Sequence, residues 1–77
     1  MIISGVLVVC RSEHLSELRA TLEAFSWLEI HHADGDGRIV VSVEASDVEE
    51  SMTRIRELQQ LPRVILAEMA EYYVDHQ

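Results

Sequence analysis

Asp34-Gly35-Asp36-Gly37-Arg38-Ile39-Val40-Val41-Ser42-Val43-Glu44 reads as a tight turn feeding a strand with two unlike faces. The paired glycines and aspartates suit the positive φ angles of a hairpin turn. Beyond it, Ile39, Val41 and Val43 point one way, and Arg38, Val40, Ser42 and Glu44 point the other. One face of this strand belongs to a core and the other is mostly polar. A strand before the turn is therefore required, and Trp27–His32 supplies it.

Working outward, Ile2–Cys10 is a β-branched run of strand length that is apolar on both faces, so it reads as a central strand. Ser12 offers an N-cap, with Glu13 in the first turn. Leu15, Leu18, Leu22 and Phe25 then recur at helical spacing. After the hairpin, Ser46 and Asp47 precede Glu49 and Glu50, so a capping box is available from either residue. Val48, Met52, Ile55 and Leu58 form the stripe of a second helix, which Pro62 blocks from continuing. Val64–Tyr73 is the last strand, and Val74-Asp75-His76-Gln77 is a polar tail. The order βαββαβ predicts an α+β, ferredoxin-like domain over residues 1–77: a four-stranded antiparallel sheet with both helices on one face.

Composition narrows the function. A chain of 77 residues has room for one domain. Folding at that size buries roughly 60% of the unfolded surface, which leaves little material for a deep catalytic pocket. Fourteen acidic residues face six basic ones, all arginine, for a formal charge of -8. Such a field repels nucleic acid and anionic membranes and attracts basic partners. The two central strands also lack the aromatic residues on which RNA-binding relatives of this architecture stack bases. The single cysteine, Cys10, allows no internal disulfide. The first residues, Met1 to Glu13, lack a positive n-region, and their apolar run is too short for a membrane span. A cytoplasmic protein without membrane insertion is expected.

No catalytic or metal-binding constellation emerges, and no enzyme or cofactor is expected. His31 and His32 are adjacent in a strand, so their rings are expected on opposite faces. Cys10 reads as a buried apolar residue and Asp34 and Asp36 as turn residues. What remains is the sheet face that the helices leave open. Val40, Ser42 and Glu44 are expected there, with Leu66, Glu68 and Ala70 from the last strand. Leu7 and Val9 join them if Val6, Val8 and Cys10 face the helices. Glu71 has the opposite parity to Glu68. An apolar floor dotted with carboxylates suits a cationic amphipathic segment. The alternative is a dimerisation or small-ligand-sensing module of the same fold.

Ser4-Gly5-Val6-Leu7-Val8-Val9, Arg11-Ser12-Glu13, Gly37 to Glu44, and Pro62, Val64 and Ala67 follow one another in an order and spacing that resembles the NapD family over almost the whole chain. The resemblance implies a cytoplasmic, non-enzymatic chaperone without a cofactor, on a ferredoxin-like fold. It implies a partner too: the twin-arginine signal peptide of the periplasmic nitrate reductase catalytic subunit precursor. Binding would hold back export until cofactor insertion and folding are complete. The peptide would lie on the sheet surface of a monomer or weak homodimer.

Overall fold

The computed structural model describes residues 1–74, with the side chains of residues 1–70. The elements follow the expected order: β1 Ile2–Cys10, a 3-10 turn Ser12–His14, α1 Leu15–Glu23, β2 Leu28–Ala33, β3 Arg38–Ala45, α2 Val48–Gln59 and β4 Val64–Val74. Val74, expected in the tail, closes β4, and Asp75, His76 and Gln77 lie outside the described residues. The strands form one sheet in the order β2-β3-β1-β4, with every neighbouring pair antiparallel. This is the ferredoxin-like arrangement, with β1 and β3 central.

Strict alternation sets the two faces. In β1, Val6, Val8 and Cys10 are buried, while Leu7 and Val9 between them are half-buried. In β3, Ile39, Val41, Val43 and Ala45 are buried, while Arg38, Val40 and Glu44 are exposed. The buried set meets Leu18 and Leu22 of α1 and Ile55 and Leu58 of α2, with Ala67 of β4. Removing one such Val, Leu or Ile side chain from water stabilises the fold by about 1.5–3 kcal/mol. The helices therefore cover the face of Val6 and Val41 and leave that of Leu7 and Val40 open.

Two local features depart from the expected pattern. Ser12 does not cap α1; it opens a 3-10 turn in which His14 N donates to Arg11 O at 2.9 Å, and its side chain makes no capping bond. The tighter turn lets the chain swing from β1 into α1 within a few residues. The second helix buries Ser51, Ile55 and Leu58, whereas Val48 and Met52 are half-exposed. Its inward stripe thus runs through a serine that reads as polar in sequence. The Ser51 hydroxyl meets that of Ser4 in β1 at 3.0 Å, both fully buried, so each polar group satisfies the other. At the start of the helix, Asp47 is the N-cap, accepting from Glu50 N at 2.8 Å. The Glu50 carboxylate reaches back to Ser46 N and Oγ, both at 3.0 Å.

The hairpin is built on Asp34 and Gly37. The Asp34 carboxylate accepts from Asp36 N at 2.9 Å and Arg38 N at 3.3 Å. Gly37 has φ +96 and donates its N–H to Asp34 O at 3.2 Å. Its carbonyl accepts from Cys10 N at 2.8 Å, so the turn is sealed to the end of β1. A Cβ there would stand 2.1 Å from the Cys10 carbonyl oxygen. Glycine is required at this position by both backbone angle and space. At the other end of the chain's second half, Arg63 adopts φ 78 directly after Pro62, turning the chain from α2 into β4. No helix among the described residues is long and apolar enough to cross a membrane.

Candidate functional site: the open sheet face

Register across the strands fixes what the open face presents. Leu7 stands opposite Val40 on one side and Glu68 on the other. Val9 stands between Arg38 and Leu66, Gly5 is opposite Ser42, and Ile3 is opposite Glu44. Directly opposed residues of an antiparallel pair share a face. Seven of the eight residues expected on this surface are therefore brought together: Leu7, Val9, Val40, Ser42, Glu44, Leu66 and Glu68. Val40 and Leu66 are about two-fifths exposed, with relative exposures of 40% and 43%, which is high for large apolar residues of a sheet.

Ala70 differs. The pairing of β1 with β4 shifts between Gly5 and Val6: Val6 is opposite Met69, but Gly5 is opposite Glu71. Ala70 is the extra residue of a β-bulge and has no partner in β1. The same bulge resolves the parity of Glu68 and Glu71, whose β1 partners, Leu7 and Gly5, are themselves two apart.

A second bulge corrects the histidines. The register of β2 on β3 shifts between Ile30 and His32, leaving His31 as the extra residue. His32 is opposite Val40, and His31 Nε2 lies 2.8 Å from Ser42 Oγ, so both rings belong to the open face. Adjacent strand residues normally alternate; the bulge cancels that alternation here. Leu28, Ile30 and Ala33 pack on the core instead, and Glu29, opposite Ser42, joins the open face. Strand parity through a regular β2 reaches Glu29, whereas nothing in residues 30–32 signals the bulge.

Around Gly5 and Ser42 the face dips into a shallow groove of about 430 Å³, lined by Ile3, Gly5, Glu29, His31, Val40, Val41, Ser42 and Glu44. Missing side-chain bulk at Gly5 and the short Ser42 make the floor; Glu29 and Glu44 make acidic walls. Four acidic residues outside the open face are paired with arginines. Glu13, Glu17, Glu23 and Glu50 pair with Arg11, Arg63, Arg19 and Arg54 at 2.9, 3.4, 3.3 and 3.2 Å. Among the described residues, Glu29, Glu44 and Glu68 of the open face have no arginine partner. Arg54 is held beneath the β3 end by Glu50, by the Glu44 carbonyl and by the Trp27 ring, 5.2 Å from its centroid.

Two other titratable groups of the described residues are shifted from their ordinary values. Cys10 is buried, and burial pushes its thiol up, away from the thiolate a nucleophile needs. Hydrogen bonds from the Ser46 backbone, then from its hydroxyl, hold the Glu50 carboxyl below its ordinary range against an opposing effect of burial, with Arg54 adding to the lowering. Among the described residues, no group of three or more His, Cys, Asp and Glu side chains could hold a metal ion.

Comparison with known proteins agrees with this geometry. The solution structure of the E. coli Tat proofreading chaperone protein NapD is similar at 25% sequence identity and a TM-score of 0.84, covering 97% of this chain and 80% of that one. Comparison with curated protein sequences finds no match. The family described as NapD protein matches residues 1–76. With an acidic open sheet, a fold shared with a proofreading chaperone and a family match along nearly its whole length, the chain belongs to the NapD family and has a chaperone role.

Proposed function

We propose that this protein is a cytoplasmic chaperone that captures the twin-arginine signal peptide of the periplasmic nitrate reductase precursor on its open sheet face. Capture withholds the signal from the export machinery until cofactor insertion and folding are complete. The observation that carries the reading is the face itself: Leu7, Val9, Val40 and Leu66 form an apolar floor, and Glu29, Glu44 and Glu68 around it lack arginine partners. The apolar part of a signal peptide packs on the floor, and its arginines take up the carboxylates. Charge speeds encounter, and apolar contact slows release. The protein acts as a monomer or weak homodimer, since the sheet face must stay free for the peptide.

Calorimetric titration with a synthetic twin-arginine peptide at two salt concentrations tests this. Binding should weaken at high salt and after both peptide arginines are changed to glutamine. Absence of binding at micromolar protein, or unchanged affinity for the glutamine peptide, would overturn it.

A further inference from the structure

The open face is not uniformly acidic; its charge is graded along the strands. The row at one end holds Arg38, Val9 and Leu66, and Arg38 has no carboxylate partner among the described residues. The next row along holds His32, Val40, Leu7 and Glu68. Beyond it come Glu29, Ser42 and Gly5, and then Glu44 with Ile3. A cation and two large apolar residues therefore occupy one end, while two carboxylates and the groove occupy the other. Six residues separate Arg38 from Glu44, which is about 20 Å of extended strand.

We infer that this gradient fixes the direction in which a cationic-then-apolar segment docks: its paired guanidinium groups sit in the groove between Glu29 and Glu44, and its apolar stretch runs across Leu7 to Val9 and Leu66, toward Arg38. The inference rests on the proposed function and adds polarity to it. In the reverse orientation the guanidinium pair would meet Arg38, and the apolar stretch would cover the two carboxylates and leave them desolvated without partners. Both are costly: like charges repel, and a buried unpaired carboxylate loses its hydration. The favoured orientation keeps the guanidinium pair away from Arg38, and its apolar stretch passes one carboxylate, Glu68 on the edge strand β4, instead of covering two. Length agrees as well. About 20 Å accommodates roughly 13 residues of helix at 1.5 Å per residue, and a signal segment places its basic residues immediately before some 7–15 apolar ones. Arg54, which shares a recess with Glu44, does not neutralise this end, because Glu50 and the Glu44 carbonyl hold it. Arg38 therefore acts as an orienting residue by repulsion.

Paramagnetic broadening tests the direction. A synthetic peptide with two adjacent arginines before an apolar stretch carries a spin label either ahead of the arginines or after the apolar stretch. The first label should erase amide signals of Gly5, Ser42 and Glu44. The second should erase those of Val9, Arg38 and Leu66. The opposite pattern, or equal broadening of both ends by each label, overturns the inference while leaving peptide capture intact. A peptide that binds nowhere overturns the proposed function and the inference with it. The paired substitution Arg38→Glu with Glu44→Arg, both on exposed side chains of one strand, should exchange the two broadening patterns. Retention of the original pattern in that variant would also overturn the inference.

Discussion

Replacing Ser51 with alanine tests the least expected feature of the core. The Ser4 and Ser51 hydroxyls are 3.0 Å apart, with 0% and 1% of each residue exposed. Ser51→Ala removes one partner and leaves the Ser4 hydroxyl buried without it. A buried hydroxyl without a partner costs about 1–3 kcal/mol. For a domain of this length, each kcal/mol lowers Tm by roughly 4–8 °C, so a cost of about 2 kcal/mol moves Tm by roughly 8–16 °C. Ser4→Ala/Ser51→Ala removes both polar groups together and should recover most of that loss, because nothing is then left unsatisfied. Urea unfolding of the wild type, both single variants and the double variant gives the coupling energy of the cycle. With single costs of about 2 kcal/mol each and a double cost below about 1 kcal/mol, a coupling of about 3 kcal/mol is expected. Additive single-variant costs, with no recovery in the double variant, would show that the pair does not carry the contact between β1 and α2.

Three further outcomes follow from the geometry. Gly37→Ala should cost more than the ~1–2 kcal/mol of a left-handed backbone alone, because its Cβ also meets the Cys10 carbonyl oxygen, whereas Gly35→Ala, with nothing within 4 Å, should stay within about 0.5 kcal/mol in the same unfolding assay. Glu50→Gln should lower Tm at neutral pH and lose its effect in acid: the carboxyl is held below its ordinary range, so its contribution is complete above that range and disappears as pH falls through the lowered value. Met52→Gln, on the outward side of α2, should change stability by no more than about 0.5 kcal/mol, while Ile55→Ala, three residues on, should cost about 2–5 kcal/mol by chemical denaturation.

The parts of the fold legible in sequence are those set by alternation and by strong punctuation. The β3 strand shows its faces residue by residue, and Asp34 to Gly37 mark the turn before it. The ambiguity of β1, apolar on both faces, is removed by its register: Val6 and Val8 oppose the buried Val41 and Ile39. What stays illegible has a physical pattern. A bulge inserts one residue and reverses parity without changing composition, which is why His31 and Ala70 depart from simple alternation. The inward stripe of α2 is shifted because Ser51 is buried through a hydroxyl pair, and its partner lies 47 residues away in β1. The pairing of individual charges is equally invisible in composition. A formal charge of -8 does not reveal that Arg11, Arg19, Arg54 and Arg63 engage carboxylates elsewhere while, among the described residues, Glu29, Glu44 and Glu68 of the open face have no arginine partner.

On the proposed function, the uncovered sheet face is where the partner binds. Methyl chemical-shift mapping with an unlabelled twin-arginine peptide addresses it directly. Methyl groups of Leu7, Val9, Val40 and Leu66 should shift together and saturate with one affinity, while those of Leu18, Leu22 and Leu58 under the helices should stay in place. Shifts confined to the helix-covered core or to the exposed Val48 and Met52 of α2, with the open-face methyls unmoved at saturation, would contradict it.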